Sequence, residues 1–310
     1  MEAIKYLTFK LMYRLALVLP RSWGYWIGSR VADIDYLLRK NLRQTVKSNL
    51  RHVFLATNPQ IVTRSFIAAR AREVFRGFAK YLVDFFSFSS LNQETIHKMI
   101  KVTGVEYLKE ALGKGKGVIA LSAHLGNWEL GGMITAMLGF DLNEVVLSHD
   151  NTRINRLFMN QRSASGVKVI PVGAGARQYL NVLKKKQMIA VVGDRIITDA
   201  GMQVNFFNQP AMLPKGPVVL SLRAGAPIVP VFMVRTEEDK FNLIFEKPIY
   251  PDTYGKNHME KERAVKDWIV TVLEKYIGKY PSQWFLFYKV WGRVSKRRRR
   301  GVRARAIAGV

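Results

Sequence analysis

The chain has 310 residues, and its 49 Lys and Arg against 23 Asp and Glu give a formal net charge of +26. This balance excludes an acidic disordered protein, and the 48% of hydrophobic residues supply enough material for a sizeable core. The chain has no cysteine, which excludes disulfides, thiolate metal sites and cysteine nucleophiles. Positive charge is concentrated at both ends, with 15 basic and 4 acidic residues in 1–80 and 8 basic and no acidic residues in 293–310. Such ends attract polyanions, either nucleic acid or the anionic face of a membrane.

The segment 6–28 is rich in Leu, Tyr, Trp and Phe, but Lys10, Arg14 and Arg21 interrupt it. No charge-free run reaches the roughly 18 residues of a spanning helix, and no signal-peptide cleavage site follows. Basic residues interleaved with aromatic ones are typical of a helix in the headgroup layer. We therefore expect residues 1–30 to be an interfacial membrane-anchoring segment and 293–310 a basic tail. The stretch QWFLFYKVWGR, just before the tail, has the same composition and favours the same location.

Between these ends, helical and strand patterns alternate. Apolar residues at helical spacing predict a long amphipathic helix over 60–86. Further helices are expected over 104–112, 126–138, 151–164, 176–186 and 258–279, and strands over 118–121, 145–148, 167–172 and 188–192, with an edge hairpin of 227–234 and 241–245. This order predicts an α/β fold with a mainly parallel central sheet flanked by helices, forming one domain over 31–292.

Polar residues follow three of the predicted strands, at the edge where open α/β sheets carry their chemistry. They are the segments SAHLGNWE (122–129), SHD (148–150) and GDR (193–195). In the first segment His124 follows a strand, and Glu129 lies in the first turns of the next helix. We expect the loop to fold the imidazole onto this carboxylate, so that Glu129 orients His124 and His124 acts as a general base.

The segment HLGNWE, His124 to Glu129, resembles the H-x4-[D/E] motif of glycerolipid acyltransferases, in the form found in the bacterial lipid A late acyltransferases. The block GVEYLKEALGKGKGVIALSAHLGNWEL, the pair Arg162 and Gly166, the block from Gly193 to Phe232 and the ending PSQWFLFYKVWGR resemble this family as well. The resemblance therefore covers most of the chain. It departs at Arg195, where a glutamine is common, and at three positions of the ending.

This resemblance implies transfer of a fatty acyl chain from an acyl carrier protein or coenzyme A thioester to a hydroxyl of a phosphorylated glycolipid, most directly a lipid A precursor. It implies His124 and Glu129 as catalytic residues. The expected substrate-binding residues are Asn127, Arg156, Arg162, Asp194 and Arg195, since guanidinium groups suit phosphate. No cofactor besides the thioester and no metal ion is expected, because the five histidines are scattered along the chain. The expected partners are acyl carrier protein and anionic membrane lipids, not nucleic acid, at the cytoplasmic face of the bacterial inner membrane.

Two alternatives stay open. The acceptor can be another glycolipid, such as a phosphatidylinositol mannoside. In a different class of function, RVSKRRRRGVRAR would be the phosphate-binding tail of a nucleic-acid-binding protein. That alternative leaves the residues around His124 unexplained.

Overall fold

The computed structural model describes residues 2–88, 93–197 and 201–292. The strands of these residues are β1 (Ile100–Thr103), β2 (Val118–Ser122), β3 (Leu142–Val146), β4 (Lys168–Pro171), β5 (Met188–Val192), β6 (Gly201–Phe206), β7 (Gln209–Pro214), β8 (Ile228–Arg235) and β9 (Phe241–Phe245). Seven strands form the central sheet in the order β1-β9-β8-β2-β5-β3-β4, and β6 and β7 form a separate antiparallel hairpin. In the central sheet β8 and β9 pair in antiparallel fashion, and the other neighbours are parallel. The predicted fold class is confirmed.

Helices cover both faces of this sheet. They are α1 (Glu2–Val18), α2 (Arg21–Leu38), α3 (Lys40–Thr57), α4 (Arg64–Ser87), α5 (Gln93–Met99), α6 (Val105–Gly113), α7 (Trp128–Met137), α8 (Thr152–Ala164), α9 (Ala176–Lys184), α10 (Gly216–Ala224) and α11 (His258–Lys279). The long helix predicted over 60–86 is α4, which begins after Thr63 because the Thr63 hydroxyl accepts a hydrogen bond from the N–H of Phe66.

Two parts of the predicted sheet differ from the structure. The strand predicted over 145–148 begins earlier, at Leu142, because the polar residues Asn143 and Glu144 belong to it and are buried. The predicted hairpin, now β8 and β9, is not at the edge. The short strand β1 adds to β9 in parallel and becomes the edge strand.

Apolar side chains form one core on each face of the sheet. Alternate residues of β2 enter opposite cores, Ala120 into the first and Ile119 and Leu121 into the second, as the two-residue period of a strand requires. Helices α4, α7 and α8 cover the first face, and α9, α10 and α11 cover the second. A sheet covered on both faces explains why its middle strands, β2, β5 and β8, are mainly apolar.

The C-terminal aromatic residues belong to these cores. After α11 the chain pairs with the loop that follows β2, with Phe285 and Phe287 in the first core and Trp284 and Leu286 in the second. The expectation that this stretch lies at a membrane is therefore wrong. Aromatic composition alone does not separate a buried segment from an interfacial one. The predicted basic tail, 293–310, lies outside the described residues.

The N-terminal helices α1 and α2 have one packed side and one exposed apolar side. Phe9 fixes α1 by edge-on contacts with Phe86 and Phe158. The exposed apolar residues of the two helices include Leu7, Leu11, Val18, Trp23, Trp26, Ile34, Leu37 and Leu38. This apolar side continues past residue 30 to the end of α2, where Leu38 is 77% exposed. Within the described residues, no helix combines the length and the apolar character needed to cross a membrane.

Candidate active site

His124 lies where the chain leaves β2, and it is bound to Asp194. Its Nδ1 atom is 2.8 Å from Oδ1 of Asp194, and its backbone N–H donates to Oδ2 of the same carboxylate at 2.9 Å. The indole N–H of Trp284 also donates to Oδ2, at 2.8 Å. The Asp194 side chain is fully buried, so these three hydrogen bonds hold the carboxylate in one position.

The register of the sheet explains why these two residues meet. Strands β2 and β5 are parallel neighbours, and Ser122 pairs with Val192. Two residues beyond that pair, His124 and Asp194 leave the sheet side by side. A carboxylate two residues after one strand therefore meets a histidine two residues after its neighbour.

These contacts determine which atom of the His124–Asp194 pair carries the proton. Burial by itself would raise the pKa of Asp194, but the charge and hydrogen bonds of His124 and the Trp284 N–H lower that pKa below its ordinary value. An ionised carboxylate only accepts hydrogen bonds, so Nδ1 of His124 carries the proton. Nε2 is then the ring nitrogen that can accept a proton. This arrangement is that of a general base, here His124, and of a carboxylate that orients it, here Asp194.

The expected contact between Glu129 and His124 is not formed, which corrects the prediction. Glu129 lies in the first turn of α7 and packs against α8. Its carboxylate accepts hydrogen bonds from Nε and Nη2 of Arg162, at 2.8 and 2.5 Å. Arg162 and Asp194, both expected to bind substrate, are thus engaged with partners inside the protein.

Glu144 of β3 completes a buried cluster with Glu129 and Arg162, and its Oε2 is 3.5 Å from Nε of Arg162. One guanidinium therefore faces two carboxylates. Burial and the charge of Glu129 raise the pKa of Glu144 to about 8, against the opposing effect of Arg162. Glu144 therefore holds a proton at neutral pH. Gly132 leaves room for it, since a Cβ there would lie 1.8 Å from Oε1 of Glu144.

Asn127 and Gly126 have structural positions in the loop before α7. Oδ1 of Asn127 accepts a hydrogen bond from the N–H of Leu130, which caps the helix. The Asn127 side chain is buried, and its Nδ2 has no partner among the described residues. Gly126 has a φ of +63°, and a Cβ there would lie 1.9 Å from the carbonyl oxygen of Met233. Only glycine fits this close approach of two backbones.

The remaining predicted arginines differ in position. Arg156 is exposed on α8 and does not line the cavity that contains His124. Arg195 does line that cavity and is half-buried. No hydrogen bond or ion pair holds Arg195 within the part of the chain that the structure describes, and burial lowers the pKa of its guanidinium. A half-buried cation that lines this cavity beside Asp194 can attract an anionic ligand.

The His124 cavity, as we call it, has a volume of about 570 Å3. It begins at Ser122, His124 and Arg195, at the carboxyl ends of β2 and β5. It continues along the first face of the sheet over Ala120 and Ala190, whose small side chains leave space under α7. Its far walls include the buried Glu129, Arg162 and Glu144 and a group of aromatic rings, among them Phe9, Phe78, Phe158 and Phe287.

This cavity can hold a long apolar group. Ala120, Ala190 and Glu144 are level with one another across three adjacent strands. His124 lies four positions after Ala120 in the chain, which corresponds to about 13 Å along a strand. Among the described residues, no group of three or more His, Asp and Glu side chains is placed to hold a metal ion. The described residues of the site therefore combine a hydrogen-bonded His–Asp pair, a half-buried cation and a mainly apolar cavity.

Comparison with known families identifies one that covers nearly the whole chain. The family of bacterial lipid A biosynthesis acyltransferases matches residues 2–293. The chain belongs to this family. The enzyme is an acyltransferase, as the resemblance of HLGNWE predicted.

Two relatives are named as acyltransferases of a glycolipid. The phosphatidylinositol mannoside acyltransferase of Mycolicibacterium smegmatis is 24% identical to the enzyme over 285 residues, covering 90% of this chain and 88% of the relative. The phosphatidylinositol mannoside acyltransferase of Mycobacterium tuberculosis is 24% identical over 201 residues, covering 63% of this chain and 62% of the relative. A glycolipid acyltransferase is therefore supported.

Sequence reasoning placed Asp194 at the right edge of the sheet but expected it to bind substrate, and it paired His124 with Glu129 instead of Asp194. It did not assign Trp284 a role in the site. The strand register would have paired Asp194 with His124, since both follow predicted parallel strands by a similar number of residues. No local pattern marks Trp284, because its contact with Asp194 spans 90 residues of sequence.

Proposed function

We propose that the enzyme transfers a fatty acyl chain from a thioester, carried by acyl carrier protein or coenzyme A, to a hydroxyl of a membrane glycolipid. The observation that carries this proposal is the hydrogen-bonded pair of His124 and Asp194 at the mouth of a deep, mainly apolar cavity. The pair provides a general base, and the cavity has room for an acyl chain.

In the proposed reaction, Nε2 of His124 takes the proton of the acceptor hydroxyl. The hydroxyl oxygen attacks the thioester carbonyl carbon, the C–S bond breaks, and the thiolate leaves with the proton from the imidazolium. The Asp194 carboxylate stabilises the imidazolium between these two proton transfers. No covalent acyl-enzyme is required.

Arg195 supplies positive charge for this reaction. The N–H groups of Gly126 and Asn127, at the start of α7, already donate to the carbonyl oxygens of Gln283 and Met233. They are therefore not available to an oxyanion. Arg195 is the half-buried cation of the same cavity, and we assign to it the binding of an anionic substrate group.

The acyl chain occupies the part of the cavity over Ala120 and Ala190 in this proposal. Phe9 of α1 lines the same cavity, so the helix that carries the exposed Leu7 and Leu11 also borders the chain site. A lipid substrate can thus pass between a membrane and the cavity along α1. This continuity supports binding to a membrane surface through α1 and α2, on the cytoplasmic leaflet, whose anionic lipids attract a chain of net charge +26.

Two acceptors are candidates. The two relatives, both phosphatidylinositol mannoside acyltransferases, favour a phosphatidylinositol mannoside. The family, that of the lipid A biosynthesis acyltransferases, favours a phosphorylated lipid A precursor. Both are anionic glycolipids with free sugar hydroxyls. Arg195 stands where a glutamine is common in enzymes that act on lipid A, so we expect the mannoside to be the better acceptor.

The test is mass spectrometry of each acceptor after incubation with the enzyme, in detergent micelles, with acyl carrier protein or coenzyme A thioesters of several chain lengths. We expect one added acyl group with at least one acceptor, and none with the His124→Ala enzyme. An acyl gain that persists in His124→Ala would contradict the proposed base. No gain with any acceptor and donor would contradict glycolipid acylation.

A further inference from the structure

A second cavity lies on the other side of α4, and nothing in the proposed reaction uses it. This α2–α4 cavity has a volume of about 550 Å3. Its walls come from α2, α4, the turn after β8 and the segment before Phe285. The rings of Tyr81 and Phe285 line both cavities and separate them.

The walls of the α2–α4 cavity carry more positive than negative charge. Four cations line it, Arg30, Arg76, Lys80 and Arg235, against two carboxylates, Glu73 and Glu237. The cations come from α2, α4 and β8, so the fold brings together residues that are far apart in sequence. Such convergence of cations on one cavity is typical of an anion site.

Acids hold three of these cations in place. Lys80 donates to both carboxylate oxygens of Asp239, at 2.8 and 2.9 Å. Arg76 donates to both oxygens of Asp33 at 2.7 Å, and Arg235 binds Asp84 and the hydroxyl of Tyr25. Their guanidinium groups are therefore fixed before a ligand arrives, which lowers the entropic cost of binding.

Around Asp33 the charges do not balance. Arg72 and Arg76 each make two hydrogen bonds to its carboxylate, and Arg30 lies 3.9 Å from Oδ2. Three guanidinium groups thus face one carboxylate, and their side chains are 55, 48 and 34% exposed for Arg30, Arg72 and Arg76. A bound anion would offset the repulsion among them.

The position of the cavity indicates the kind of anion. Trp26 of α2 lines it and is 64% exposed. Trp23 and Ile34 are also exposed on α2 and belong to the apolar side that we propose to contact the membrane. An anion at this site would lie at the depth of the lipid headgroups, next to an interfacial tryptophan.

We propose that the α2–α4 cavity binds the phosphate of an anionic membrane phospholipid, at a site separate from the acyl-transfer site. Arg30, Arg76 and Lys80 contact the phosphate, and Trp26 lies beside the glycerol and upper acyl chains. The site rests on the membrane-facing side of α2 but not on the acyltransferase chemistry, so the two proposals can fail independently.

The test measures binding of the full chain to phosphatidylcholine vesicles with and without phosphatidylglycerol. The variant is Arg30→Gln with Lys80→Gln, which leaves the Arg76–Asp33 and Arg235–Asp84 pairs intact and removes the Lys80–Asp239 ion pair. We expect it to need about tenfold more phosphatidylglycerol vesicles for half-maximal binding, because each basic residue near an anionic bilayer adds to the attraction. Binding to pure phosphatidylcholine should not change.

The matched control is Lys109→Gln with Lys116→Gln, which removes the same charge from two exposed positions near the opposite end of β2. It should bind like the wild type, and an equal loss in both double variants would overturn the site in favour of diffuse charge.

Arg30→Lys with Lys80→Arg preserves the charges and should preserve binding, which separates a charge effect from a folding defect. Glycerol phosphate is the soluble probe. If it displaces the protein from the vesicles, the lipid site is overturned in favour of a site for free phosphate. His124→Ala should bind vesicles like the wild type whether or not it is active.

Discussion

At the scale of single residues, the candidate site depends on how the Asp194 carboxylate is held. Three hydrogen bonds reach it, two from His124 and one from Trp284. They lower the pKa of Asp194 despite its burial and so keep it ionised where the imidazolium forms. The side chain that orients the base is therefore itself oriented by an aromatic residue from the C-terminal segment.

The first prediction concerns this indole. Trp284→Phe keeps the ring in the core but removes one hydrogen bond to a charged group, so we expect kcat to fall about tenfold with little change in KM. Trp291→Phe is the matched control, because the Trp291 N–H donates to the carbonyl oxygen of Phe206 and not to Asp194. Steady-state kinetics of both variants tests this, and equal losses would show that the effect comes from core packing.

The second prediction concerns the protonated Glu144. Its pKa of about 8 exceeds its ordinary value of 4.5, so the folded state binds more protons than the unfolded state between these pH values. The free energy of unfolding should therefore fall as the pH rises from 4.5 to 8. Glu144→Gln mimics the protonated form and should flatten this part of the pH dependence. Urea denaturation of both proteins at pH 5.5 and pH 8 measures the difference, and parallel slopes would contradict a raised pKa.

At the scale of strands and helices, register decides what the site contains. Parallel pairing of β2 with β5 places Asp194 beside His124, and the same pairing places Ala190 beside Ala120 under α7. The small side chains of this row open the cavity.

The third prediction tests that row. Ala190→Leu should fill the cavity near Ala120 and shift the preferred donor to a shorter acyl chain, because methylenes beyond the block lose their apolar contacts. Ala164→Leu, on the exposed end of α8, is the control and should leave the preference unchanged. Competition between thioesters of different lengths gives the ratio directly. An unchanged ratio in Ala190→Leu would place the acyl chain elsewhere.

The sequence predicted the element order well because most strands are apolar runs and most helices are amphipathic. The prediction placed the start of β3 too late in the chain, because Asn143 and Glu144 resemble loop residues until their buried partners are known. It assigned Glu129 to His124 because the two are close in sequence, whereas the actual partner of Glu129 is Arg162, 33 residues away. Local spacing thus located the site. The register of β2 with β5 assigns Asp194 to His124, and the packing of α7 on α8 assigns Arg162 to Glu129.

At the scale of the whole molecule, we propose two different surfaces for lipid. The exposed apolar residues of α1 and α2 form one, and the cations of the α2–α4 cavity form the other. Both lie next to the His124 cavity, through Phe9 on α1 and through Tyr81 and Phe285 on the shared wall. In these proposals, membrane binding and acyl transfer therefore take place at neighbouring parts of the enzyme.

The fourth prediction separates the apolar from the charged contribution. Leu11→Gln with Trp23→Gln removes two exposed apolar side chains and no charge, so binding should weaken for phosphatidylcholine and phosphatidylglycerol vesicles alike. Leu138→Gln with Met259→Gln removes exposed apolar residues from other surfaces and is the control. Vesicle sedimentation compares them. Unchanged binding of the first variant would mean that α1 and α2 do not contact the bilayer.

The central claim is that His124 and Asp194 together carry out acyl transfer. The most direct measurement is the single-turnover rate of acyl transfer to the accepted glycolipid, for the wild type, His124→Ala, Asp194→Asn and Asp150→Asn. Asp150 is an exposed aspartate outside the His124 cavity and serves as the matched control. We predict a loss of at least about 100-fold for the first two variants, with their fold intact, and a rate near wild type for Asp150→Asn. A folded Asp194→Asn enzyme that retains the wild-type rate would contradict the account.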